Sequence, residues 1–268
     1  MSQIDMLLAK LERANKHIGD LEPEWRSFSS SGGYSILFKD DTDKRERSYY
    51  LAVAKDIPQI ISLIAGDALQ NLRSVLDHLA YHLVAIGTGQ QGPFPRTYFP
   101  ICESATEYKS ESPRKVKGMR QDAIDAIDAI EPYRGGAGHI LWQLHRLNNI
   151  DKHRLLLTVY GQLSSHRLLP SQRMQMVERY LIGNPSGTPR DLSRVNIMPS
   201  RGVFRLKEGD VLLTVPTSEL EDYMNFVLDV SFGEPQIVQG DSVSTTLQRM
   251  AQFVETILRQ ADSLGLLA

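Results

Sequence analysis

The stretch that decides the fold runs from Asp56 to Ile86, DIPQIISLIAGDALQNLRSVLDHLAYHLVAI. Its apolar residues recur at three- and four-residue spacing, so it reads as one long helix. Asp56 supplies an N-cap, Pro58 suits the first turn, and Gly87-Thr88-Gly89 closes the pattern. At about 100° per residue, Asp67, Asn71, Ser74 and His78 fall at about 0°, 40°, 340° and 20°, one narrow hydrophilic stripe. Ile60, Ile61, Ile64, Ala68, Leu69, Leu72, Val75, Leu76, Leu79 and Leu83 cover most of the remaining circumference. A helix apolar nearly all round packs on several sides, so the stripe is expected to face partners inside the protein or a closed crevice. Buried polar groups left unpaired are costly, which makes the stripe either a satisfied network or a site.

Toward the N-terminus, Gln3 to Gly19 sets Ile4, Leu7, Leu8, Leu11 and Ala14 at helical spacing, an amphipathic helix that needs a partner. Glu22-Pro23 and the Ser/Gly run from Ser27 to Gly33 follow it. Two β-rich runs, Tyr34 to Phe38 and Tyr49 to Val53, flank a charged turn from Lys39 to Arg47, which predicts a hairpin at about 34–53. Downstream of the central helix, Gln90 to Cys102 is a proline-punctuated loop expected to lie on the body through Phe94, Tyr98 and Phe99. Ser112 to Arg120 reads as a basic, mobile segment, and Asp122 to Ile130 as a short helix.

Gly135-Gly136-Ala137-Gly138 reads as a plain loop, with amides offered to an anion at a helix start as the alternative, ahead of a second notable helix, His139 to about His153, HILWQLHRLNNIDKH. Arg146, Asn149 and His153 fall at about 0°, 300° and 340° on it, a second hydrophilic stripe. Strand signals then dominate: Leu155 to Tyr160, Gln175 to Ile182, Val203 to Leu206, Val211 to Val215 and Phe226 to Phe232, with a loop at Asn184 to Pro189. Ser242 to Leu264 closes the chain as an amphipathic helix. The fold class is α+β. Residues 1–154 and 241–268 form a helical bundle with an N-terminal β-hairpin, and 155–240 form an inserted antiparallel β subdomain packed on it.

A chain of 268 residues buries a real core without staples. The net charge of -2 excludes a wholesale polyanion binder. Charge is unevenly spread, however. His166 to Lys207 carries eight Lys or Arg against Glu178 and Asp191, and from Glu208 onward ten acids face Arg249 and Arg259. Either the two parts neutralise one another or the basic part meets phosphate. Cys102 is the single cysteine, which excludes an intramolecular disulfide and a thiolate zinc cluster and suits a reducing cytoplasm. The N-terminus lacks a signal-peptide core, and no apolar run reaches the roughly 18 residues of a membrane span, so no membrane contact is expected.

Several reactions are set aside for want of a Walker A segment, a dinucleotide fingerprint, a nucleophile elbow or a His-Glu-x-x-His. Cys102 reads as inert. His78 and His82 point the same way at four-residue spacing, and Asp151 or His153 could join them, but the third ligand is remote in sequence. No metal and no cofactor are expected.

The sharper signal is Arg73-Ser-Val-Leu-Asp-His78 with Asn71 just upstream. This Arg-x4-His arrangement resembles the HEPN superfamily of helical RNA- and nucleotide-acting domains. Gly66 to Tyr81 together with Leu147-Asn-Asn-Ile-Asp-Lys-His-Arg154 also resembles a widespread bacterial protein family. The resemblance implies a metal-independent endoribonuclease, in a bacterial defence or toxin setting, whose cleft is shared by a homodimer and whose RNA partner is cut by its own 2′-hydroxyl. His78 would then move the proton, Arg73 would stabilise charge on the phosphate, and Asn71 and Asp77 would orient them. A five-residue step places Arg73 and His78 about 140° apart, so they meet through the reach of the arginine or through a second protomer. Arg146 and His153, seven apart, share one face.

If the two stripes face each other, Arg73, His78, Arg146 and His153 form one catalytic pocket. Asp67, Asn71, Asp77, Asn149 and Asp151 support it, and Arg114, Lys115, Lys117 and Arg120 supply an RNA-binding rim. The competing reading is a non-catalytic binding or regulatory protein, in which the same residues cross-link packed helices and the β subdomain recognises a ligand or nucleic acid. The nuclease needs the stripes to line a solvent-reachable cleft. The scaffold needs them sealed and internally paired.

Overall fold

The computed structural model describes residues 2–154, 159–166, 196–197, 207–217, 226–234, 236–238 and 242–268. The chain is an α+β protein organised around its second helix. Helix α1 (Gln3–Phe28) starts in a capping box between Ser2 and Asp5 and buries Leu7, Leu11, Ala14, Ile18, Leu21, Trp25 and Phe28. It continues two turns past the end expected near Gly19, straight through Pro23. Proline removes one helical hydrogen bond there. The aromatic end of the helix offsets that loss: Trp25 and Phe28 pack on Tyr34 at 5.9 and 5.5 Å between ring centroids. The Trp25 indole also donates to the Leu228 carbonyl at 3.1 Å.

A wide turn at Ser29–Gly33, with Gly32 at φ 78°, leads into β1 (Tyr34–Asp41) and β2 (Glu46–Ala54). The strands consume most of the charged segment expected to be turn, because its charges pair across the ladder. Arg47 grips Asp40 with two bonds of 2.6 and 2.8 Å and lies over the Phe38 ring at 3.8 Å. Asp41 accepts from the amides of Asp43 and Lys44 to close the turn.

Helix α2 (Gln59–Thr88) is the predicted central rod, but it starts after Pro58 with no side-chain cap, not at Asp56, and it is ended by Gly89 in the left-handed region. Helix α3 (Ala105–Lys115) was not foreseen. Ser104 caps it by accepting from the Glu107 amide at 3.1 Å, while the Glu107 carboxylate accepts from the Glu103 amide. Helices α4 (Gln121–Asp128), α5 (His139–Arg154) and α6 (Val243–Ser263) match the sequence signals. Between α5 and α6 the described strands are β3 (Val159–His166), β4 (Asn196–Ile197), β5 (Val211–Pro216) and β6 (Phe226–Phe232). The expected strand features at 155–158, 175–182 and 203–206, the loop at 184–189 and most of the basic stretch lie outside the described residues.

Two antiparallel sheets result, one ordered β1-β2-β5-β4 and one pairing β3 with β6. The hairpin at 34–53 therefore joins strands of the insertion in one sheet rather than standing with the bundle alone. Helices α1, α2, α5 and α6 share one apolar core in which Leu69, Leu72, Val75, Leu76, Leu144, Leu147, Leu247, Val254 and Leu258 have no exposed surface.

Gly87, in the last turn of α2, lies under the backbone carbonyl of Gly118, leaving no room for a Cβ. Gly87→Ala is expected to lower stability by about 1–3 kcal/mol in urea unfolding, an overpacking cost that outweighs the helix propensity gained. A more stable variant would contradict that close approach.

Candidate functional site

Helix α2 delivers Arg73 and Asp77 on one side and the hydrophilic stripe on another. Arg73 is 6% exposed. Its Nη2 donates to Asp77 Oδ1 at 2.8 Å and to the Phe99 carbonyl at 3.2 Å, and the same Asp77 oxygen accepts from the Phe99 amide at 3.0 Å. Both backbone groups of Phe99 are thus held by an ion pair one turn long, and the Phe99 ring is fully buried. Burial pushes the Arg73 pKa down against the pull of Asp77, and it pushes Asp77 up against the pull of Arg73. Desolvation therefore opposes the pair, whose contribution is geometric: it fixes the proline-rich loop on the bundle. Phe94 follows against Tyr81 at 5.1 Å, whereas Tyr98, also expected to pack, is 53% exposed.

The stripe itself is turned outward, not into a closed crevice. Asp67 and His78 are exposed, and Asn71 and Ser74 are half-buried. Lys10 of α1 donates to Ser74 Oγ at 3.0 Å, and Asn71 caps the Asp67 carbonyl. Partial burial, then Lys10 and His82, lower the His78 pKa, which keeps the imidazole neutral. From the other side Asp151 of α5 lies over Gly66. A Cβ there would stand 2.7 Å from its carboxylate oxygens, which is why a glycine sits inside this helix. Burial and the nearby Asp67 raise the Asp151 pKa.

The expected single pocket is not assembled. Arg73 is sealed while His78 faces solvent, as the five-residue step requires. Arg146 is exposed and pairs with Glu103 at 3.2 Å. Asn149 bonds His145 Nε2 at 3.0 Å. His153 lies in the last turn of α5, and its side chain is outside the described residues. The basic segment expected to be mobile is instead the end of α3 and the turn after it. Three of its four cations are engaged: Arg114 with Glu111, Lys115 with the Ile101 carbonyl and Cys102 Sγ, and Arg120 with Asp122. Lys117 is exposed. Cys102 is buried beside Lys115, and burial raises its thiol pKa, consistent with an inert residue.

Sequence reasoning missed a buried polar group on α5. Asn148 is 1% exposed and its amide has no partner, nor do His145 Nδ1 and Arg73 Nη1, among the described residues. Burial, followed by the nearby charge of Arg73, pushes the His145 pKa down to about 3. A cavity of about 340 Å³ opens at the start of α5, lined by Arg134, His139, Trp142, Gln143, Thr246 and Arg249 among others. Only the Gly-rich run ahead of α5 hinted at it.

Among the described residues, no three His, Cys, Asp or Glu side chains group as a metal site would require. No helix there is long and apolar enough to cross a membrane. No family model matches the chain, and neither a curated protein nor a solved structure does.

Two outcomes follow from the Arg73–Asp77 pair and the half-buried His145 imidazole. Arg73→Ala should cost about 3 kcal/mol by leaving Asp77 without its counter-ion, while Arg73→Met with Asp77→Leu should cost less than the two single changes summed. Strict additivity in urea unfolding would contradict the pairing. His145 binds a proton more readily unfolded than folded, so it stabilises the fold above its ordinary pKa of 6.5, and that stability is lost as pH falls from there toward 3. His145→Gln should flatten the decline of urea midpoints between neutral and acid pH. Parallel profiles would contradict a half-buried His145 held neutral by desolvation.

Proposed function

We propose that this is a non-catalytic binding or regulatory protein of the cytoplasm, in which the helical bundle is a scaffold and recognition falls where the bundle meets the β-rich insertion. The observation that supports this reading most is the sealing of Arg73. A guanidinium 6% exposed and held by Asp77 and the Phe99 carbonyl has no path to a phosphodiester. The cation that a HEPN-type mechanism assigns to the scissile phosphate is then engaged in holding a loop.

A second reading, a metal-independent endoribonuclease of HEPN type in a bacterial defence or toxin setting, is favoured by one observation. The stripe carrying His78 faces solvent, and its imidazole is held neutral, the state a general base needs. In that reading RNA is the substrate, and a homodimer brings cations from a second copy to His78.

RNA cleavage by the purified chain in EDTA separates the two, with His78→Ala and Arg73→Met measured beside it. The binding reading expects no cleavage by any of the three. Cleavage that disappears in His78→Ala would overturn it in favour of the nuclease.

A further inference from the structure

We propose that His78 and His82 hold an exchangeable divalent transition-metal ion of the Zn²⁺ kind, on the outer face of α2 beside the start of α1. The inference goes beyond both readings above and depends on neither. The two residues are four apart, so their side chains leave the helix about 40° from each other with Cβ atoms about 5–6 Å apart. Two imidazoles at that spacing converge on one ion at the roughly 2.0–2.1 Å that nitrogen ligands require. His82 is close enough for its charge to act on His78.

Both rings are open to a ligand. His78 is exposed and His82 half-buried, and neither has a hydrogen-bond partner among the described residues. On α5 the imidazoles are committed instead: His139 Nδ1 accepts from the Gly135 amide at 3.1 Å, and His145 Nε2 is bonded to Asn149 at 3.0 Å. At neutral pH an imidazole is mainly unprotonated and has a lone pair to give, the state in which it ligates metal.

Helix α1 brings a further group to the same place. It runs antiparallel to α2, because the hairpin between them pairs Tyr34 with Ala54 at its base. The bond from Lys10 to Ser74 Oγ at 3.0 Å sets the register. Gln3 lies two turns before Lys10 on the same face, and His82 about two turns beyond Ser74, so the two come level. The Gln3 amide oxygen is buried and has no partner among the described residues. A buried acceptor without a donor is costly, and a water carried on the ion supplies that donor.

The ligand type selects the ion. Imidazole suits Zn²⁺, Cu²⁺ and Ni²⁺, whereas Mg²⁺ and Ca²⁺ take oxygen ligands. No third His, Cys, Asp or Glu joins the pair among the described residues, so two nitrogens hold the ion and water fills its other positions. Such an ion exchanges with solvent and is not a structural centre, and the remote third ligand is not needed. Lys10, whose charge acts on His78, opposes a dication and keeps the affinity moderate.

Calorimetric titration of the metal-free full chain with zinc chloride, and separately with magnesium chloride, tests this. Saturable Zn²⁺ binding is expected, with Mg²⁺ at least about a hundredfold weaker. His78→Gln and His82→Gln should each weaken Zn²⁺ about tenfold or more, because either change leaves a single imidazole. His17→Gln, two turns along α1 on the other side of Lys10, should stay within about twofold of the parent. Circular dichroism melts establish that each variant is folded, and if His82→Gln is not, the exposed His78→Gln decides alone. Absence of saturable Zn²⁺ binding, equal binding of Mg²⁺, unchanged affinity in either folded variant, or an equal fall in His17→Gln would overturn the assignment. The RNA assay runs in EDTA and reads cleavage, so its outcome and this one fail separately.

Discussion

The structure depends on the grip of Arg73 and Asp77 on the backbone of Phe99. A loop rich in proline has few amides to build regular structure, so something else must satisfy its backbone where it crosses the core. One turn of α2 does so by offering a cation to the Phe99 carbonyl and a carboxylate to its amide. The loop that this clamp anchors then carries Ile101 and Cys102 into the core and leads to α3. Burial opposes charge on both partners, which ties each to the other. Neither can be spared for chemistry at a surface without leaving its partner short of a counter-ion, in the case of Arg73 a buried charge.

Much of the bundle was legible because its helices obey a simple period. Leu69, Leu72, Leu76, Leu79 and Leu83 could only be core, and Ser242 followed by the apolar pattern of α6 marked a capped helix. The extension of α1 past Pro23 was not legible, because a local rule about proline was overridden by Trp25 and Phe28, whose partners Tyr34 and Leu228 are distant in the chain. Helix α3 could have been found: Ser104 and Glu107 form a capping pattern that the neighbouring prolines obscured. The hairpin strands ran longer than their apolar residues because Asp40 and Arg47 pair across the ladder, a contact that one-dimensional patterning does not reveal.

The candidate site divides along the same line. Angular arithmetic on α2 gave the hydrophilic stripe correctly, and it also gave the wide separation of Arg73 from His78. What it did not give was which side faces water. The stripe is outward because α1 and α5 flank it and reach it through Lys10 and Asp151, while the apolar remainder of α2 beyond the exposed Ile60 and Leu63 is covered by the core. Arg73 and Asp77 then fall on the inward flank and become structural. The atoms of Asn148, His145 and Thr246 that have no partner among the described residues depend on packing between helices remote in sequence, and no motif announces them.

Amide hydrogen exchange at Phe99, resolved by NMR under native conditions, tests the sealed clamp most directly. With the half-buried Asp77 carboxylate accepting from it, the Phe99 amide should exchange as slowly as the buried amides of α2, with the protection unaltered when an RNA oligonucleotide is added. Exchange at the rate of an exposed loop, or a change in protection on adding RNA, would contradict a closed Arg73 and return that arginine to the list of groups able to meet a phosphate.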